Sequence, residues 1–280
     1  MTTKVRFVGL DVHKESITIA VADSDCSAPE NVATIPIDTP RLIKQLAKLA
    51  RGGKLRCCYE AGPTGFVLQR ALQEAGIDCV VIAPSLIPIR AGDHIKTDNR
   101  DALKLARFLR SGDLTEIFVP DSATEAMRDL ERSRDDAKKA ERVARHQLSK
   151  FMLRQGRVSK LKTAWTQAHL DWIRSQVFDH EAHNRVLVDY VHAVESATER
   201  VARLTKDIVE LVETWALRPL VKAFQALRGV RILSAVTLAA EIADFARFSS
   251  APALMAYVGL VPSEHSSGQS QKRGRITRAG

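Results

Sequence analysis

Four carboxylates in the N-terminal part of the chain stand where they could share a cation. Asp11 ends the apolar run Val8-Gly9-Leu10-Asp11-Val12, and Glu60 follows a second run, Leu55 to Tyr59, just before Ala61-Gly62-Pro63-Thr64-Gly65. Asp98 and Asp101 lie three residues apart at the start of a predicted helix, which places them on one face. If the two apolar runs are adjacent strands of parallel type, Asp11 and Glu60 sit side by side, and the helix can close the ring. Clustered like charges are unfavourable without a neutralising cation, and oxygen-only donors fit Mg²⁺. Two ions bridged by carboxylates can activate a nucleophile and stabilise a leaving oxygen in phosphodiester chemistry. Each acid taken singly also has an ordinary reading, as a turn residue or a favourable charge at a helix start. Nearby Lys96, Arg100 and Lys104 could pair with the acids or contact phosphate.

A second candidate lies near the C-terminus. Tyr257-Val258-Gly259-Leu260-Val261-Pro262-Ser263-Glu264-His265-Ser266-Ser267-Gly268 is followed by Lys272, Arg273, Arg275 and Arg278. A loop of small residues beside four cations fits phosphate binding or a nucleophilic serine, and equally a flexible basic loop. Other groupings are weaker. His180 and His183 could share a metal but have no evident third ligand. The Gly62/Gly65 turn lacks the lysine and spacing of a phosphate-cradling P-loop. Cys26, Cys57, Cys58 and Cys79 form no C-x-x-C pair, which argues against structural zinc and suits a reducing cytoplasm.

The elements that must position these residues can be read from periodicity. Among 280 residues, 45% are hydrophobic and 27% charged, enough for a substantial aliphatic core, and disorder and disulfide scaffolds are excluded. The net charge of +9 favours a polyanionic partner, nucleic acid before membrane. No signal peptide and no apolar run of membrane-spanning length is present, so a cytoplasmic protein is expected. Residues 1–120 read as β-β-β-α-β-α-β-α, the order of the RNase H-like fold. Residues 121–219 read as a helical arm. Ser122 to Gln155 forms one long helix, and the apolar positions Val191, Val194, Val201, Leu204, Ile208, Leu211 and Trp215 form a coiled-coil seam on another. The first helix offers only a thin alanine stripe, so the seam is expected to be covered by a second subunit. Between Arg142 and Lys162 there are seven basic residues and no acid. Residues 220–280 hold eight basic against three acidic residues. There the segment Leu227-Arg228-Gly229-Val230-Arg231 joins two helices, in the manner of a helix-hairpin-helix element that lacks its second glycine.

Together the motifs G-L-D-V-H-K at 9–14, Y-E-A-G-P-T-G at 59–65, K-T-D-x-x-D-A at 96–102 and Y-x-G-L-x-P-S-E-H-S-S-G with G-R-I-T-R-x-G resemble the DEDD-type insertion-sequence transposases. The resemblance spans nearly the whole chain, with the motifs in the family's order. It implies a RuvC-like catalytic domain at 1–120, a coiled-coil arm at 121–219 and a mainly α transposase domain at 220–280. It further implies that Asp11, Glu60, Asp98 and Asp101 hold Mg²⁺, and that Ser267, or else Ser266, joins covalently to DNA. DNA at element ends and target, an element-encoded guide RNA and a homo-oligomer (dimer or tetramer) are the partners implied. The family continues beyond the position of Gly280, so a C-terminally truncated protein is expected, with residues after about Pro262 mobile. Two alternatives are a junction-specific nuclease using the carboxylates alone and a non-catalytic nucleic-acid-binding remnant.

Overall fold

The computed structural model describes residues 5–25, 27–50, 53–88, 97–264, 266–268, 270 and 272–276. Lys96, His265 and Arg278, which belong to the motifs above, and Cys26 lie outside them. The chain divides into two compact units, Met1–Val119 and Pro120–Gly280.

In the first unit the strands are β1 (Val5–Val12), β2 (Ser16–Asp23), β3 (Glu30–Pro36), β4 (Lys54–Glu60) and β5 (Asp78–Ile82). The helices are α1 (Thr39–Ala50), α2 (Val67–Glu74) and α3 (Asp98–Ser111). The sheet order is β3-β2-β1-β4-β5. β1, β2 and β3 pair antiparallel, while β4 joins β1 and β5 joins β4 in parallel. β1 is therefore central and covered on both faces, which is why its sequence is a nearly unbroken apolar run. On one face Val8, Leu10, Cys57 and Tyr59 pack with Leu42 and Leu46 of α1 and Leu68 and Leu72 of α2. On the other face lies α3, through Ala102, Leu105, Ala106, Phe108 and Leu109.

Gly9 sets how closely α3 approaches the sheet. A Cβ at this position would collide with the backbone of Ala102 and Ala106. Backbone cannot swing aside as a side chain can, so α3 would have to lift. Gly9→Ala is expected to lower stability by about 3 kcal/mol, read as a lower midpoint in urea unfolding. A variant that unfolds with the parent would contradict this close packing.

The second unit holds α4 (Ser122–Arg154), α5 (Gln167–Arg174), α6 (Glu181–Val212), α7 (Arg218–Gln225), α8 (Ile232–Ile242), α9 (Ala251–Tyr257) and a hairpin of β6 (Pro262–Glu264) and β7 (Arg273–Ile276). α4 and α6 run antiparallel. Glu141 accepts a hydrogen bond from Thr198, Arg134 donates to Thr205, and Met127 packs with Ile208 and Val212. No helix among the described residues is long and apolar enough to cross a membrane.

The expectation that the α6 seam needs a second subunit is corrected. Leu187, Val191, Val194, Val201, Ile208 and Val212 are buried within this chain. Leu148, Phe151 and Met152 of α4, with Ile173 of α5, cover one end. The nearly all-apolar α8 covers the other through Ala235, Val236, Ala239 and Ala240. Counting only the alanines of α4 overlooked these larger residues. One seam position was misassigned as well: Leu211 is exposed, and Val212 takes its place inside.

The start of α4 is capped by Asp121, whose carboxylate accepts from the Thr124 backbone N–H at 2.9 Å and hydroxyl at 2.8 Å. Burial alone would raise this carboxyl, but the hydrogen bonds from Thr124 and Ala123 overcome it and the net shift is downward. A carboxylate depressed in the folded state stabilises above its unfolded value and loses that contribution as the pH falls through the folded value. Asp121→Ala should therefore lower stability by about 1 kcal/mol at neutral pH. The gap to the parent should close below about pH 4, where unfolded aspartate takes up its proton. A gap that persists at pH 2–3 would show that the cap does not act through its charge.

Candidate active site

Alternation along the central strands decides which side chains reach α3. Leu10 pairs with Tyr59 and both face the α1/α2 side. One residue further along each parallel strand stand Asp11 and Glu60, level with each other and on the opposite, α3-facing side. In α3 the stripe that meets the sheet, Ala102, Leu105 and Ala106, continues N-terminally to Asp101 and Asp98. The helix begins there because the Thr97 hydroxyl accepts from the Arg100 backbone N–H at 3.4 Å. Its far end is closed by Gly112 in the left-handed region at φ 78°.

Asp11, His13 and Asp98 come together, with one ligand atom from each lying within 4.8 Å of the others. His13 Nε2 is 3.0 Å from Asp11 Oδ2 and 3.6 Å from Asp98 Oδ1. Burial pushes the Asp11 carboxyl up. The His13 charge and hydrogen bond pull it down, and Asp98 and Asp101 push it up again; the net shift is upward. Asp101 is thus close enough to act on Asp11 through space. Of the expected four acids, Asp11 and Asp98 meet with His13, Asp101 acts on Asp11 from further off, and Glu60 stands beside Asp11 by strand register. His13 was quoted within a motif but given no role. Its signal was its place two residues past Asp11, at the mouth of the β1–β2 turn, where its backbone N–H donates to Ser16 O at 2.9 Å.

The serines lie in the second unit, at the tip of the β6–β7 hairpin. Ser267 and Ser270 exchange backbone hydrogen bonds of 3.0 and 3.1 Å, and Gly268 between them takes a left-handed φ of 57°. Where the sequence pattern reads as a basic loop, the described residues form a hairpin, in which β7 returns along β6 and closes it. The strands Pro-Ser-Glu and Arg-Gly-Arg-Ile are too short and too polar to carry an alternating apolar pattern, so periodicity could not reveal them. Ser266 and Ser267 are both exposed. The Ser266 hydroxyl donates to Glu264 Oε1 at 2.6 Å, and Glu264 Oε2 lies 3.9 Å from Arg273 Nε. The α7–α8 turn has Gly229 at φ 88° and a Val230 N–H donating to Leu227 O at 3.1 Å. The described residues also bring His180 and His183 together as an edge-on ring pair, within an aromatic cluster containing Phe151 and Phe178.

Residues 8–155 match the transposase family model of the IS110 DEDD type, and residues 221–280 match the Transposase IS116/IS110/IS902 family. The chain is 44% identical over 278 residues to a Sinorhizobium fredii protein designated transposase y4qE, covering 98% of this chain and 67% of that one. It is 36% identical over 243 residues to the transposase for insertion sequence element IS1533 of Leptospira borgpetersenii, covering 85% and 70%. Among solved structures, T. thermophilus RuvC in complex with a Holliday junction substrate aligns over 40% of this chain and 99% of its own. Its identity is 9% and its TM-score 0.28, too low to carry an argument about the site. The chain belongs to the IS110-type family of DEDD transposases, enzymes that cut and rejoin DNA.

Proposed function

We propose that the chain cuts and rejoins DNA at the ends of an insertion element, using a carboxylate-held Mg²⁺ and a serine nucleophile. The observation that carries this reading is the meeting of Asp11 and Asp98 at one end of a sheet ordered β3-β2-β1-β4-β5, an RNase H-like arrangement, with Asp101 near enough to act on Asp11. The residues fit a hard cation. Their donors are carboxylate oxygens, and the Asp11 carboxyl is raised first by burial and further by the neighbouring Asp98 and Asp101, a repulsion that a bound cation would relieve. Asp11, Glu60, Asp98 and Asp101 would hold it. When bound, such an ion supplies charge stabilisation for phosphodiester cleavage. The protein's own contribution is positioning, since α3 is seated on the sheet by Gly9 and so fixes Asp98 and Asp101 beside Asp11.

In the second unit Ser267, with Ser266 as the alternative, is read as the residue that attacks phosphorus: one P–O bond of the DNA backbone breaks, its oxygen leaves as a strand-end hydroxyl that takes up a proton as the serine loses one, and the phosphate becomes esterified to the serine. Its exposed place at a closed turn beside Lys272, Arg273 and Arg275 supports that role. Arg228 and Arg231, flanking the Gly229 turn, and the start of α8 would contact the DNA backbone as a helix-hairpin-helix-like element. An element-encoded guide RNA and a homo-oligomer complete the reading from the family resemblance, while a coiled-coil role for the α4/α6 pair rests on the apolar seam of α6 and a cytoplasmic setting on the cysteine usage. The division at residue 219 between arm and transposase domain rests on Pro219.

The experiment combines the protein, DNA carrying the element's ends, Mg²⁺ and the element's RNA, and resolves products on a denaturing protein gel. A Mg²⁺-dependent covalent protein–DNA species is expected. Cleavage with no covalent species would replace the serine step with a nuclease mechanism, and binding with no cleavage would leave a nucleic-acid-binding remnant.

A further inference from the structure

Away from both candidate sites, the acid-free segment between Arg142 and Lys162 takes part in a structure of its own. A cleft of about 510 Å³ opens between α4 and the α4–α5 connection, within the range of small-ligand pockets. Its walls carry four cations, Lys138, Lys139, Arg142 and Arg145, against two carboxylates, Asp135 and Glu141. Trp165 forms its aromatic wall.

The pieces of this wall are fixed before any ligand arrives. Glu141 is almost fully buried, accepts from Thr198 of α6 and holds Arg145 and Lys138 by ion pairs of 2.6 and 2.7 Å. Arg145 is thereby held with its guanidinium 5.2 Å from the centre of the Trp165 ring. Trp165 itself has φ 64°, a left-handed backbone that a bulky residue adopts only where its surroundings enforce it. Here its backbone N–H donates to His169 Nδ1 at 3.2 Å. The rings then continue as a series: Trp165 edge-on to His169 at 5.6 Å, and His169 stacked on Trp172 at 5.7 Å. All three are half-buried, so each keeps part of its ring open to solvent.

Cations along one wall and a fixed aromatic ring, Trp165, on the other are the two components of sites that hold unpaired nucleotides. The cations take the phosphates and the rings stack the bases. A double helix hides its base faces and would use only the charge. We propose that this cleft binds an unpaired segment of a nucleic-acid strand, with phosphates on Arg142 and Arg145 and a base against Trp165. The inference does not depend on the carboxylates or on the hairpin serines, and it names the shared chemistry of single-stranded DNA and RNA.

The test uses the full chain and 20-nucleotide strands of one sequence, as DNA containing 4-thiothymidine and as RNA containing 4-thiouridine, with the DNA also presented as a duplex. After irradiation, crosslinked peptides are identified by mass spectrometry. Labelling of the peptide containing Trp165 by either single strand, about tenfold above the duplex, is the expected result, and the strand that labels better identifies the source. Trp165→Ala should reduce that labelling about tenfold. Arg142→Glu, at an exposed position where misfolding is not a concern, should reduce it at least fivefold. Lys206→Glu, on an exposed part of α6, should leave it unchanged. Absence of labelling in this segment, equal labelling by duplex, or labelling indifferent to both Trp165→Ala and Arg142→Glu would overturn the proposal.

Discussion

Asp11→Asn is expected to reduce strand cleavage roughly a thousandfold, equivalent to about 4 kcal/mol of lost transition-state stabilisation. Asparagine keeps the size and the hydrogen-bonding oxygen but removes the charge that would help hold a cation. Stability should move the other way. Burial and the neighbouring acids raise the Asp11 carboxyl, so the folded state disfavours its ionised form. An acid raised on folding contributes stability at low pH that disappears as the pH climbs from the unfolded value to the folded one. At neutral pH in EDTA the Asn variant should therefore melt no lower than the parent. Added Mg²⁺ should raise the parent's melting temperature and leave the variant's nearly unchanged. A variant that still cleaves within tenfold of the parent would remove Asp11 from the chemistry.

Ser267→Ala should bring covalent protein–DNA product down to background while DNA affinity stays within about twofold, because phosphate affinity comes from cations rather than from one hydroxyl. The companion variant Ser266→Ala separates the two serines. The Ser266 hydroxyl is engaged with Glu264, so its loss should loosen the turn and slow the reaction without abolishing it. If Ser266→Ala is the variant that loses the covalent species, the Glu264 contact marks an activated nucleophile and the assignment moves one residue.

How far these residues could be found without coordinates depended on the range of the interactions involved. Asp11 and Glu60 were legible because a strand's period of two and its polar end are local properties, and both acids sit where an apolar run stops. Asp98 and Asp101 were legible as a pair because helical spacing puts them on one face. The approach of Asp98 to Asp11 was not local. It depends on Gly9, whose missing side chain lets α3 lie on β1, and nothing in the spacing of that glycine announces its partner. His13 escaped notice for a related reason, since it gains meaning only when Asp98 arrives opposite from far along the chain. In the second unit the apolar period of α6 was plain, but which surface covers it was settled by α8 and by Phe151 and Met152, none of which a single-helix pattern can assign. The left-handed backbone of Trp165 is unreadable from sequence, since tryptophan has no preference for that region.

The proposed cation site is shared by carboxylates from two strands and a helix. Anomalous scattering from a crystal of the protein soaked in Mn²⁺, a stand-in for Mg²⁺ with the same preference for oxygen, tests this most directly. The predicted result is a peak within about 2.5 Å of carboxylate oxygens from Asp11 and Asp98, with Glu60 and Asp101 in the same coordination sphere or bridging to a second ion. A peak elsewhere on the chain, or none at a Mn²⁺ concentration that supports DNA cleavage, would contradict it.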